Sequence, residues 1–115
     1  MSKIADDVYI KIKQLFPYDV VLSEYYVYYK GTRLFFDFFI KNLGILIECQ
    51  GEQHFKFNKH FHSSKEAFYG QKRRDNLKVE YTERKKELTL VYFYDTVDKI
   101  TNELILNRIY EALDK

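Results

Sequence analysis

The 115-residue sequence has one proline, four glycines, one cysteine and no tryptophan, and each scarcity narrows what the chain can be. With so few breakers, regular structure is expected nearly end to end, with no linker, repeat or low-complexity tract. The lone cysteine, Cys49, excludes an internal disulfide and fits a reducing compartment. No N-terminal segment joins a basic start to an apolar run, and no apolar window approaches the roughly 20 residues of a membrane span. Together these absences lead to the expectation of a cytoplasmic protein. Charge of one sign is also lacking: 19 Lys and Arg against 17 Asp and Glu leave a net +2, too little to announce a nucleic-acid binder by totals. Aromatic residues are what the chain has in excess, with 11 Tyr and 10 Phe. A chain of this length is expected to form one domain, residues 1–115, around one core.

Hydrophobic periodicity sets the element order. Ile4, Val8, Ile10, Ile12 and Leu15 recur at helical spacing, with Ser2 or Asp6 as cap and Pro17 as stop. Val20 to Tyr29 and Arg33 to Ile40 read as strands joined by a Lys30-Gly31 turn. A second turn, Asn42 to Gly44, leads into a strand from Ile45 to Gln50. Glu52 to Ser64 reads as a loop rich in His, Lys and Phe, and Lys65 to about Lys85 as a helix. Leu88 to Tyr94 is a fourth strand. A last helix, capped by Asp95 or Thr96, carries the stripe Ile100, Leu104, Ile105, Ile109 and Leu113. The order α-β-β-β-α-β-α predicts an α/β (α+β) fold in which helices flank a mixed sheet.

Two strands carry residues that packing does not explain. Asp37 sits amid Leu34, Phe35, Phe36, Phe38, Phe39 and Ile40, where an ionised carboxylate is costly unless paired, hydrogen-bonded or bound to a metal. In the next strand Ile45, Leu46 and Ile47 give way to Glu48, Cys49 and Gln50. The period of two sends Glu48 and Gln50 to one face and Cys49 to the other. If Asp37 and Glu48 meet across the ladder, their mutual repulsion calls for a cation between them, and Mg²⁺ suits a site of one or two carboxylates. A two-residue turn at Lys30-Gly31 would pair residues whose numbers sum to 61. Glu24 then lies opposite Asp37, whereas a three-residue loop would flip it away.

An Asp on one strand followed by Glu-x-Gln on the next resembles the PD-(D/E)xK nuclease signature, and the element order resembles that superfamily's restriction-endonuclease-like αβββαβ core, here with a C-terminal helix. The longer run Phe36-Asp37-Phe38 … Ile47-Glu48-Cys49-Gln50-Gly51-Glu52-Gln53-His54-Phe55, with Arg74-Asp75 and Lys78 beyond, is similar to the branch holding very-short-patch-repair-like and EDxHD homing endonucleases, many of them phage-borne. The resemblance implies a catalytic set of Glu24, Asp37, His54 and Asp75. It implies hydrolysis of DNA phosphodiesters, with one or two Mg²⁺ (Mn²⁺ as substitute) held by Asp37, Glu48 and a backbone carbonyl near Cys49 or Gln50. His54 would orient the attacking water or protonate the leaving oxygen. Gln50 stands where the wider superfamily has Lys; it can hydrogen-bond water or phosphate but supplies no charge, so Lys78 or Arg74 is a candidate replacement.

From His54 through Lys78 there are seven Lys or Arg and two acids, interleaved with Phe55, Phe57, Phe61, Phe68 and Tyr69. Cations neutralise phosphates and aromatic rings stack on exposed bases, so Lys56, Lys59, Lys72, Arg73, Arg74 and Lys78 are the expected DNA contacts. Gln71, Asp75 and Lys78 share one helix face. The Tyr-rich first strand reads as β packing or a dimer surface, and so small a nuclease is expected to dimerise or to use a larger partner. The rival readings are a catalytically inactive DNA-binding module, an interaction protein whose acids form salt bridges, and a zinc site from Cys49, His54, His60 and His62.

Overall fold

A computed structural model of the chain describes residues 2–51 and 64–114. Helix α1 spans Lys3–Leu15 and is capped by the Ser2 hydroxyl, which accepts the Ala5 amide. Strands β1 (Val21–Tyr29), β2 (Thr32–Ile40) and β3 (Ile45–Gln50) follow, with a short 3₁₀ turn over Lys41–Leu43 before β3. Helix α2 spans Lys65–Glu83, β4 Thr89–Tyr94 and α3 Asn102–Leu113. The sheet order is β1-β2-β3-β4, antiparallel except for the parallel β3–β4 pair. The element order and the mixed sheet agree with the pattern read from the sequence.

Two apolar clusters hold helices to opposite faces of the sheet. One joins Ile4, Val8 and Ile12 of α1 and Ile105 and Ile109 of α3 to Ile45, Ile47, Val91 and Phe93. The other joins Leu77 of α2 to Leu34, Phe36, Leu46 and Leu88. Within β3, alternate residues therefore go to different cores, which explains an unbroken Ile-Leu-Ile run.

Lys30 and Gly31 both have positive φ, 49° and 73°, the conformation of a tight two-residue hairpin turn. The register follows: Tyr29 faces Thr32 and Val21 faces Ile40. Gly44 (φ 68°) is required for a second reason, since a Cβ there would collide with the Glu87 carbonyl oxygen.

The last helix starts at Thr101, whose hydroxyl accepts the Leu104 amide, rather than at Asp95 or Thr96. The intervening Asp98 is engaged elsewhere, accepting the Tyr94 amide and a two-point bond from Arg108. Ile10, assigned to the α1 stripe, is 54% exposed, and Leu113, assigned to the α3 stripe, is 44% exposed; Ile4, Val8 and Ile12 are buried and Leu15 packs against the same core.

Candidate active site

The site begins with a reversal of alternation. Leu34 and Phe36 pack on the α2 side, yet Phe38 and Ile40, of the same parity, pack on the α1–α3 side, and Phe39 joins the α2 side. The strand thus slips by one residue's phase at Asp37. In β1 the same switch occurs between Val21, on the α1–α3 side, and Tyr25, Val27 and Tyr29, on the α2 side. Glu24 lies at the reversal with φ 50°, outside the extended region and uncommon for a residue with a side chain. It sits between the pairs Ser23–Phe38 and Tyr25–Phe36, which places it across from Asp37, and it is exposed.

At the same level β2 and β3 part. Their ladder runs Ile40–Ile45, Phe39–Leu46 and Phe38–Ile47, and the next step is made by side chains. The Asp37 amide donates to Glu48 Oε1 at 3.1 Å, and the Cys49 amide donates to Asp37 Oδ2 at 2.7 Å. Each carboxylate satisfies a backbone donor that the separating strands would otherwise leave unpaired. On its other side β3 stays paired with β4 as far as Gln50–Tyr94. The Gln50 carbonyl accepts the Asp95 amide at 2.9 Å. Successive residues of a strand turn their backbone groups to opposite neighbours. Cys49, whose amide meets Asp37, therefore presents its carbonyl to the gap as well.

Glu48 is 4% exposed and Gln50 7%. Burial pushes the Glu48 carboxyl above its ordinary range; Lys78 opposes the rise and Asp37 adds to it. Lys78 reaches down from α2 to Glu48 Oε2 at 2.9 Å, with its ammonium 5.5 Å from the centre of the Phe36 ring. This lysine, expected among the DNA-contacting cations, is largely withdrawn from solvent at the carboxylate. Burial, then Asp37 and Glu48, push the Cys49 thiol up, while the residue packs on the α1–α3 cluster. Cys49 thus faces away from Glu48, as the period of two requires.

Two tyrosines belong to the same floor and escaped the sequence reading. The parallel register sets Tyr92 beside Glu48 and Tyr94 beside Gln50, and the two rings stack at 5.9 Å. Tyr92's hydroxyl is pushed up by burial first, then by Glu48, Tyr94 and Asp75, so Asp75 of α2 acts on this floor too. Alternation in Thr89–Tyr94 put both tyrosines on one face; which residues of β3 they would meet depended on a register that sequence does not reveal.

Of the other expected residues, Arg73 and Arg74 are exposed on α2 and Lys72 is half-buried; Arg73 also donates to the Thr32 hydroxyl at 3.3 Å. His54, Lys56 and Lys59, and the zinc candidates His60 and His62, lie outside the described residues. Among the described residues no three His, Cys, Asp or Glu side chains converge as a metal-binding group, and no helix is long and apolar enough to cross a membrane.

Two viral proteins resemble part of the chain. Uncharacterized protein 033L of Invertebrate iridescent virus 3 is 44% identical over 48 residues, 42% of this chain and 25% of that protein. Uncharacterized protein 307L of Invertebrate iridescent virus 6 is 48% identical over 42 residues, 36% of this chain and 21% of that protein. The matches span a quarter or less of these curated relatives. No family model matches the chain, and no solved structure matches it.

Proposed function

We propose that the chain is a metal-dependent endodeoxyribonuclease with a restriction-endonuclease-like core, acting where β2 and β3 separate. The reading rests above all on the reciprocal Asp37–Glu48 arrangement, two carboxylates brought together at a strand fork with a raised Glu48 pKa. Like charges this close, with Glu48 buried, favour an added cation. The donor set is all oxygen: Asp37, Glu48 and the Cys49 carbonyl, which fits Mg²⁺ or Mn²⁺ with water completing the shell. When bound, such an ion supplies a water of lowered pKa and screens phosphate charge.

The chain's own residues do the rest in this reading. Gln50, on the Glu48 face of β3, holds the attacking water by hydrogen bonding, and Lys78 contributes the positive charge that Gln50 lacks. His54 and Asp75 carry the acid–base and orienting roles that the nuclease resemblance implies. Lys72, Arg73 and Arg74 on α2 provide phosphate contacts.

One observation favours the inactive DNA-binding alternative: both Glu48 oxygens already have protein partners, the Asp37 amide and Lys78. Incubation with supercoiled plasmid and a branched duplex, in Mg²⁺, Mn²⁺ or chelator, separates the two. Cleavage that needs the ion and vanishes in Asp37→Ala supports the nuclease. Retention of DNA without cleavage under any ion supports the binding module, and cleavage surviving Asp37→Ala sinks the active-site assignment.

A further inference from the structure

Beyond the alternation reversal, the β1–β2 hairpin carries a second surface on the side away from α2. Tyr25, Val27, Tyr29, Leu34 and Phe36 pack toward α2, which leaves Tyr26, Tyr28, Arg33 and Phe35 on the other side. These four are cross-strand partners, Tyr26 with Phe35 and Tyr28 with Arg33. Large hydrophobic side chains are unusually open here: Tyr26 is 49% exposed, Tyr28 65% and Phe35 48%. The Arg33 guanidinium lies 5.1 Å from the Tyr26 ring centre, 5.2 Å from Tyr28 and 5.9 Å from Phe35. Its Nη2 and Nε both donate to the Tyr28 hydroxyl, at 2.6 and 3.1 Å. The rings also contact one another, Tyr26 with Tyr28 at 5.8 Å and with Phe35 at 5.6 Å.

We propose that this Tyr26–Tyr28–Arg33–Phe35 face is a nucleic-acid contact surface that engages the DNA flanking the cleavage site. This rests on the nuclease reading and extends its substrate footprint from the strand fork onto the hairpin. The pre-positioned guanidinium supplies a planar cation for phosphate or a base edge, and the rings supply apolar surface for sugars and bases. Phe35 precedes Asp37 by two residues, about 7 Å along an extended strand, so the surface adjoins the fork along β2.

A second copy of the chain fits this surface less well. A two-fold contact through the same face draws two Arg33 guanidiniums out of water, with no acid among the four residues to offset them. A polyanion provides that offset and releases counterions as it binds.

The test is fluorescence anisotropy with a labelled duplex of about two helical turns, in chelator so that binding is read without cleavage, over a salt series. Arg33→Gln is expected to weaken binding about ten-fold and to flatten the plot of log affinity against log salt by about one. Tyr28→Ser, at the most open position, should weaken binding several-fold with the salt slope unchanged. Thermal unfolding of each variant confirms that the hairpin has folded. Native affinity and slope in both folded variants overturn the proposal. So does a native dimer, seen by sedimentation, that Arg33→Gln splits while each chain still binds DNA normally. Weakened binding in a protein that never cuts DNA leaves the surface standing and removes the nuclease reading; cleavage with unaltered Arg33→Gln binding does the reverse.

Discussion

The two sides of β3 differ as sharply as any two regions of this molecule. Toward α1 and α3 it presents Ile45, Ile47 and Cys49 to a cluster of fully apolar neighbours. Toward α2 it presents Leu46 to an apolar cluster and then Glu48, which meets Lys78. The first side is continuous and ends where the strand ends. The second changes from apolar to charged within two residues, at the level where β2 leaves. One face is organised to exclude water; the other begins the same way and then leaves buried charge at the mouth of a fork. In the proposed nuclease, stability and chemistry are thereby divided between sides of a single six-residue strand.

That division can be broken most severely at Asp37. Asp37→Asn keeps an oxygen able to accept the Cys49 amide but removes the charge, so DNA cleavage should fall below detection while the urea midpoint stays close to native. Cleavage within ten-fold of native would detach the fork from the chemistry. Lys78→Met should slow single-turnover cleavage about 100-fold, the scale of losing one well-placed charge donor, with Lys78→Arg partly restoring it. An equal rate in Lys78→Met would reduce Lys78 to a structural partner of Glu48.

On the opposite side the largest effect is on folding. Ile109→Ala, at a fully buried position, should cost about 3 kcal/mol in urea unfolding and leave the cleavage rate per folded molecule alone. A change in rate greater than the change in folded fraction would show that the two sides are coupled. Asp98→Asn should cost about 2 kcal/mol at neutral pH through its charged bonds to Arg108 and the Tyr94 amide. The Arg108 hydrogen bonds hold the Asp98 carboxyl below its ordinary value of 3.8. Its contribution is therefore full above that value and is lost as pH falls through the depressed one. The native and Asp98→Asn stabilities should accordingly converge in acid. A gap that stays constant down to strongly acidic pH would contradict the ion-pair account. Thr101→Ala, removing the α3 cap, should cost about 1 kcal/mol, and a loss near zero would mean that the helix start is held by packing alone.

The sequence carried much of the fold because its signals were local. Helical spacing at Ile4, Val8 and Ile12 and the Lys30-Gly31 turn were readable from neighbours a few residues apart, and the turn in turn placed Glu24 across from Asp37. Asp37 and Glu48 stood out because nothing apolar accounts for acids in those strands. What escaped depended on long-range geometry. Reversal of alternation at Glu24 and Asp37 requires both strands to slip together, and no residue type announces it. Tyr92 joins the site only through the parallel β3–β4 register. In the sequence Lys78 stands beside Arg74 as a candidate for the charge Gln50 lacks and also among the expected DNA contacts; what separates it from Arg74 is depth, which comes from how α2 lies over the sheet. The boundary of α3 was misjudged for a similar reason: Asp95 and Thr96 have the chemistry of a cap, but the segment after them is tied down by Asp98, which Arg108 holds from ten residues further on, and the helix is capped by Thr101.

In the proposed nuclease, the β2–β3 fork holds a divalent ion between Asp37 and Glu48. A crystal soaked in Mn²⁺ and measured for anomalous scattering tests it directly. The account predicts a peak within coordination distance of Asp37, Glu48 and the Cys49 carbonyl, lost in crystals of Asp37→Asn. A fully native fork with Lys78 still on Glu48 and no anomalous peak there, at Mn²⁺ concentrations that support DNA cleavage, would contradict it.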